Sequence, residues 1–154
     1  MTETAYVALG SNMGEAVNNI QTAIEALDSV PGIRVEEISG IYETKPWGYD
    51  NQNNFRNACA RLEVNISPEA LLGVCLGIEA GMGRVRTIKN GPRVIDIDLI
   101  MYSGQTRNTA ELILPHPRMK ERDFVLIPLY DVAKDEIKEE IKNNINNLTD
   151  RYIL

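Results

Sequence analysis

The stretch Asn90–Tyr102, NGPRVIDIDLIMY, constrains the fold of this chain more than any other part of it. Apolar, β-branched residues surround two carboxylates set two positions apart, Asp96 and Asp98, and an extended strand explains that alternation best. Side chains alternate across a strand, so Asp96 and Asp98 share one face while Ile95, Ile97 and Leu99 share the other. The two aspartates stand roughly 7 Å apart at the backbone, from ~3.3 Å of rise per residue. Like charges at that spacing repel unless a cation lies between them, a place suited to a divalent metal and a phosphate bound to it. An edge strand with two solvated aspartates is the plain alternative.

What flanks this strand bears on the choice. Gly83–Arg93 carries Arg84, Arg86, Lys89 and Arg93, a concentration of cations in a chain whose formal net charge is -6. It reads as a basic loop delivered directly to the carboxylates, and acids for a metal beside guanidiniums for phosphate oxygens make a metal–phosphate centre. Downstream, Pro115-His116-Pro117 fixes the single histidine between two prolines, close to Arg118 and Arg122. His116 reads either as structural or as a ligand contact.

The remaining elements follow from periodicity. Ala5–Leu9 is a short apolar strand ending in Gly10-Ser11-Asn12-Met13-Gly14, a strand-to-helix corner without the spacing or lysine of a phosphate loop. Val17, Ile20, Ile24 and Leu27 recur at helical spacing, and Ile33–Tyr42 reads as a strand with a break signalled at Gly40. Glu43–Asn54 is a long polar loop holding Trp47, which either serves function or folds back on the core. In Phe55–Val64 the residues Ala58, Ala60, Leu62 and Val64 take one face, leaving Asn57 on the face assigned to the aspartates. Ser67-Pro68-Glu69 starts a helix with the stripe Leu71, Leu72, Cys75, Ile78 and Met82, and Gly73 and Gly77 suggest close approach of one of its faces to a neighbour. Phe124–Tyr130 packs the last of the core and reads as helical or irregular until Pro128, and Ile137, Ile141, Ile145 and Leu148 mark a terminal amphipathic helix.

This order is β-α-β-β-α-β: an α+β, ferredoxin-like antiparallel sheet with both helices on one face, the active site on the other, and a C-terminal helical extension. The 154 residues fit one domain, 1–154. The acidic balance argues against a nucleic-acid or anionic-membrane partner, and no stretch approaches the ~20 apolar residues of a membrane span. Cys59 and Cys75 lack metal-site spacing and read as buried free thiols of a cytoplasmic protein.

Taken together, ALGSNMG, YETKPWGYDNQNNFRNA, GRVR, GPRVIDIDLIMY and LPHPRMKERDFVLIPL resemble the 6-hydroxymethyl-7,8-dihydropterin pyrophosphokinase family of folate biosynthesis, in the family's order and over almost the whole chain. The resemblance implies transfer of the β,γ-pyrophosphoryl group of ATP to the pterin hydroxymethyl oxygen, leaving AMP. It implies two Mg²⁺ ions on Asp96 and Asp98, with Arg84, Arg86, Arg93, His116 and Arg122 contacting phosphate or nucleotide and Leu99 near the adenine; Arg84 and Arg93 join the aspartates as catalytic. For the pterin it implies Asn57 on the ring edge, Thr44 and Lys45 offering backbone groups, Phe55 and Phe124 stacking on its faces, and Trp47 nearby. Glu79 would hold a loop arginine. Small-molecule substrates and a monomer or weak homodimer complete the expectation. The chain departs from the family pattern at Asn90, where many members carry tryptophan in a longer loop. A ferredoxin-like RNA-binding module would want a basic, aromatic sheet face, and this chain places carboxylates there. A metal-dependent phosphoesterase would use the same aspartates without needing the aromatic and Asn57 set.

Overall fold

The computed structural model describes residues 2–45, 51–83 and 92–146. Its centre is β1 (Glu3–Ser11), which pairs antiparallel with β4 (Phe55–Val64) on one side and β5 (Asp96–Tyr102) on the other. The far edge of β4 is shared by β2 (Ile33–Ile38) and β3 (Tyr42–Thr44), so the order is β2-β4-β1-β5. The break expected at Gly40 separates β2 from β3. Ser39 bridges it, its N–H donating to Cys59 O at 2.9 Å while its Oγ accepts from Cys59 N at 2.8 Å.

Two helices cover one face, as the α+β pattern requires. From α1 (Ala16–Asp28) the residues Ile20, Ala23, Ile24 and Leu27 are buried, and from α2 (Pro68–Gly81) Leu71 and Cys75. They meet Val7, Leu9, Ala58, Ala60, Leu62, Ile97 and Leu99, the inward set of alternate strand positions. Each such fully buried Leu, Ile or Val contributes about 1.5–3 kcal/mol. Val17, expected in the α1 stripe, is 38% exposed. It sits in the first turn, outside the core, and lines a polar groove with Asn53, Asn54 and Arg56.

The start of α2 is as the sequence indicates, with Ser67 Oγ accepting from Ala70 N at 3.1 Å and Pro68 in first place. Gly73 and Gly77 correct the reading made of them. A Cβ at either would meet nothing beyond its own helix within 4 Å among the described residues, so neither marks a close approach there.

On the second face α3 (Asp123–Val132) packs Val125, Leu126 and Leu129 over Tyr6, Ala8, Cys59 and Ile100. Pro128 does not end this helix, contrary to expectation; the helix continues to Val132. An interior proline costs about 3 kcal/mol, and tertiary contacts offset it. Arg61 Nη1 donates to Val132 O at 2.7 Å, and Asp131 Oδ2 accepts from Gly40 N at 3.2 Å and from the Tyr42 hydroxyl at 2.5 Å. The final helix α4 (Asp135–Asn146) buries Ile141 and rests Ile137 and Ile145 on this second core; Leu148 lies outside the described residues. A two-stranded ribbon, β6 (Arg107–Asn108) with β7 (Ile113–Leu114), follows β5. Cys59 and Cys75 are buried and unpaired. Among the described residues no helix is long and apolar enough to cross a membrane.

Because α3 covers only the Tyr6–Ala8 end of that face, the Gly10 end of the sheet stays open. The site lies there.

Candidate active site

Small residues on β1 form the floor. Ala8 lies between Asp98 of β5 and Cys59 of β4, and Gly10 lies between Asp96 and Asn57. Side-chain alternation therefore brings both aspartates and Asn57 to the same surface, with Asn57 two strands, ~10 Å, from Asp96. A Cβ on Gly10 would come within 3.1 Å of Asn57 Oδ1, so the absent side chain keeps the cleft open. The cavity above this floor encloses about 690 Å³ including its mouth, and Thr44, Lys45, Phe55, Asn57, Arg93, Asp96, Asp98, Arg122 and Phe124 line it.

At one end Asn57 Nδ2 donates to Thr44 Oγ1 at 2.6 Å. Both residues are buried, and the bond fixes the amide with its Oδ1 available as an acceptor. Phe55 from β4 and Phe124 from α3 add aromatic surface. An aromatic-walled pocket with one oriented amide suits a flat heterocycle bearing its own donors and acceptors.

The other end is charged. Arg93 Nη1 lies 3.6 Å from Asp96 Oδ2. Burial, and then the neighbouring Asp96 charge, push the Asp98 carboxyl up to about 7, with Arg122 and Arg93 pulling the other way. The Arg122 guanidinium sits 5.6 Å from the centre of the Phe124 ring, and burial lowers its pKa. Its Nε is buried with no hydrogen-bond partner among the described residues. An unsatisfied guanidinium N–H in a cavity is a donor suited to an anionic oxygen.

The loop arginines that Glu79 is expected to hold lie outside the described residues. Glu79 is buried in α2, and its Oε2 accepts the Ile97 N–H at 2.7 Å. Ile97 lies between the two aspartates on a strand whose outer edge has no sheet neighbour among the described residues, and this bond satisfies its N–H there. The loop arginines Arg84 and Arg86, together with Trp47 and Asn90, lie outside the described residues.

A second cavity of about 780 Å³ including its mouth shares Asp98 with the first. Leu72, Leu76, Leu99, Leu112 and Ile113 give it apolar surface, and Glu79, Glu111 and His116 add polar groups. Most of the Leu99 side chain is in the core, and the remainder faces this cavity. His116 is held by its own N–H, which donates to Ile100 O at 2.8 Å, while its Nδ1 accepts from Arg118 N at 3.3 Å. Burial, then Arg122 and Arg118, lower its pKa, so the ring is neutral near pH 7. With Nδ1 accepting, the ring proton is assigned to Nε2, a donor for an anionic ligand.

The donor set fits Mg²⁺. The described residues contain no cluster of three or more metal-ligating side chains, only the two carboxylates, and Mg²⁺ typically takes one or two carboxylates and completes its shell with phosphate oxygens and water. Sequence reasoning missed Gly10 and Asn12. Asn12 bonds Gln52, Asn53 and Arg93 at once. The signal was parity: Ala8, Gly10 and Asn12 continue the alternation that faces the aspartates.

Fold and site together define an α+β, ferredoxin-like enzyme with a two-part cleft, an aromatic-walled pocket joined to a carboxylate–arginine centre. A family model, 7,8-dihydro-6-hydroxymethylpterin-pyrophosphokinase (HPPK), matches residues 6–134, and the chain belongs to that family. It is 47% identical over 131 residues to the 2-amino-4-hydroxy-6-hydroxymethyldihydropteridine pyrophosphokinase of Methylorubrum extorquens, covering 85% of this chain and 83% of that one. To the Bacillus subtilis protein of the same name it is 38% identical over 139 residues, covering 90% and 83%. The folic acid synthesis protein fol1 of Schizosaccharomyces pombe is 42% identical over 131 residues, which are 85% of this chain and 18% of that longer one. Among solved structures, an HPPK-DHPS in complex with substrates superimposes with a TM-score of 0.69 at 15% identity, covering 94% of this chain. The chain spans 43% of that bifunctional protein, and the likeness establishes the fold.

Proposed function

We propose that this chain transfers the pyrophosphoryl group of ATP to the hydroxymethyl oxygen of 6-hydroxymethyl-7,8-dihydropterin, giving AMP and the pterin diphosphate for folate synthesis. The observation that carries the reading is the pairing of two cavities that share Asp98, one with an oriented amide and aromatic walls, the other lined by several leucines together with His116. Family membership supplies the reaction, and the cleft has a place for each substrate.

In this reading Asn57, held by Thr44, binds the pterin edge; Phe55 and Phe124 stack on the ring, and Lys45 lies beside it. Leu99 and the leucine side of the second cavity receive the adenine. Arg93, Arg122 and the neutral His116 donate to phosphate oxygens, and the loop residues Arg84 and Arg86 would add to them. Asp96 and Asp98 would hold two Mg²⁺ ions, which when bound neutralise the triphosphate and align the attacking oxygen. Proximity is the main contribution of the chain itself, since two substrates fixed across Asp98 react as one body. A single catalytic domain over 1–154, acting in the cytoplasm as a monomer or weak homodimer, completes the proposal.

The test mixes the protein with Mg²⁺, ATP and 6-hydroxymethyl-7,8-dihydropterin and follows the nucleotide product. AMP formed only when the pterin is present supports the reading. ADP or free phosphate would instead support a simple kinase or the phosphoesterase alternative.

A further inference from the structure

Asn12 follows directly on β1 at the open end of the sheet and is 4% exposed. A primary amide offers two donors and one acceptor oxygen, and a buried one must place them. Asn12 Nδ2 donates to Gln52 Oε1 at 2.8 Å and to Asn53 O at 2.9 Å. Its Oδ1 accepts from Arg93 N at 2.8 Å, and its own N–H donates to Arg93 O at 3.1 Å.

None of these side-chain bonds is local. They span 40, 41 and 81 positions, whereas an asparagine that merely shapes a turn bonds residues two or three away. The corner itself is closed by another residue, Asn19, whose Nδ2 donates to Met13 O at 2.8 Å and Ser11 Oγ at 3.2 Å. Asn12 is therefore left to join two walls of the cleft. Residues 52 and 53 run into Phe55 and Asn57, which line the heterocycle end. Arg93 lines the charged end and faces Asp96.

We infer that Asn12 is a positioning residue that couples the two substrate half-sites, so that ordering either wall orders the other. The inference rests on the proposed reaction for what the walls bind. Coupling of this kind is reciprocal: each ligand tightens the other by the same factor.

Titration calorimetry with 6-hydroxymethyl-7,8-dihydropterin and the Mg²⁺ complex of α,β-methylene-ATP, whose scissile bridge is blocked, measures that factor directly. The wild type is expected to bind each ligand more tightly in the presence of the other. Asn12→Ala is expected to bring the factor close to one and to lower kcat/KM for both substrates about 10- to 100-fold. Asn12→Asp keeps an acceptor for Arg93 N–H but sets a carboxylate against Gln52 Oε1 and Asn53 O. It is expected to weaken pterin binding more than analogue binding. An unchanged factor in Asn12→Ala, or none in the wild type, overturns the inference. Amide hydrogen exchange in the ligand-free protein gives a readout independent of turnover. Asn12→Ala should speed exchange both in 51–54 and at Arg93, and Gln52→Ala, which keeps Asn12, in 51–54 alone. Protection unchanged at Arg93 in Asn12→Ala overturns the inference, whereas a wild type that forms no AMP overturns the proposed reaction and leaves the exchange result to decide this one.

Discussion

Thr44 Oγ1 accepts a 2.6 Å hydrogen bond from Asn57 Nδ2, and that bond decides which end of the Asn57 amide faces the cavity. The two residues are 13 positions apart, brought together by the pairing of β3 with β4. Without it the amide is free to rotate and presents donor and acceptor interchangeably. Thr44→Val keeps the shape and removes the acceptor. The pterin KM should rise about tenfold, the net worth of one oriented hydrogen bond, with the KM for ATP unchanged. Steady-state kinetics with each substrate varied in turn checks this, and equal changes in both would contradict it.

Asp98 links the charged end to pH. Its folded carboxyl titrates at about 7, whereas an unfolded aspartate titrates near ~4. The metal-free fold thus holds a proton that the unfolded chain has released, and its stability falls as pH rises between those values and levels off above. A bound cation competes with that proton, so Mg²⁺ affinity should be about tenfold weaker at pH 6 than at pH 8. Melting curves of metal-free protein across this range, with and without Mg²⁺, test both signs. Asp98→Asn should flatten the melting profile and abolish turnover; a pH-independent wild-type profile would contradict the raised Asp98 carboxyl.

Glu79 supports the same strand from behind by accepting the Ile97 N–H. Glu79→Leu leaves a buried N–H without a partner, at a cost of about 1–3 kcal/mol, and frees the backbone between Asp96 and Asp98. Both kcat and the denaturation midpoint should fall, while Glu79→Gln, which retains an acceptor oxygen, should keep most of each. Wild-type values in Glu79→Leu would show that the strand needs no such support.

Gly73 and Gly77 have open space around them in α2. Replacing either with alanine restricts the unfolded chain and adds nothing that clashes, for a gain of about 0.5–1 kcal/mol each. Thermal denaturation should move upward with kcat within about twofold of wild type, far from the loss expected for a residue of the cleft. A destabilised Gly77→Ala would mean that the helix face has a neighbour.

The alternation of Asp96 and Asp98 with Ile95, Ile97 and Leu99, the Phe55–Val64 faces and the Ser67-Pro68 helix start were legible because each is a local rule, obeyed within a few residues. Period-2 patterning sorts the faces within each strand, and the register of β4 and β5 on β1 then brings Asn57 and the aspartates to one surface. Pro128 was misjudged for the opposite reason. Its local penalty is real, but Arg61 and Tyr42, distant in sequence, hold the helix through it.

Sequence alone determined the βαββαβ order, the two-faced strand and the residue types able to meet a metal, a phosphate and a flat ring. Tertiary structure decided what those residues became. It set the Asn57 amide through Thr44, turned Glu79 toward the backbone of β5, left half a sheet face open beside α3, and spent Asn12 on two walls at once. Periodicity is written within a single element, whereas a buried polar group takes whichever partner the packed chain brings within about 3 Å.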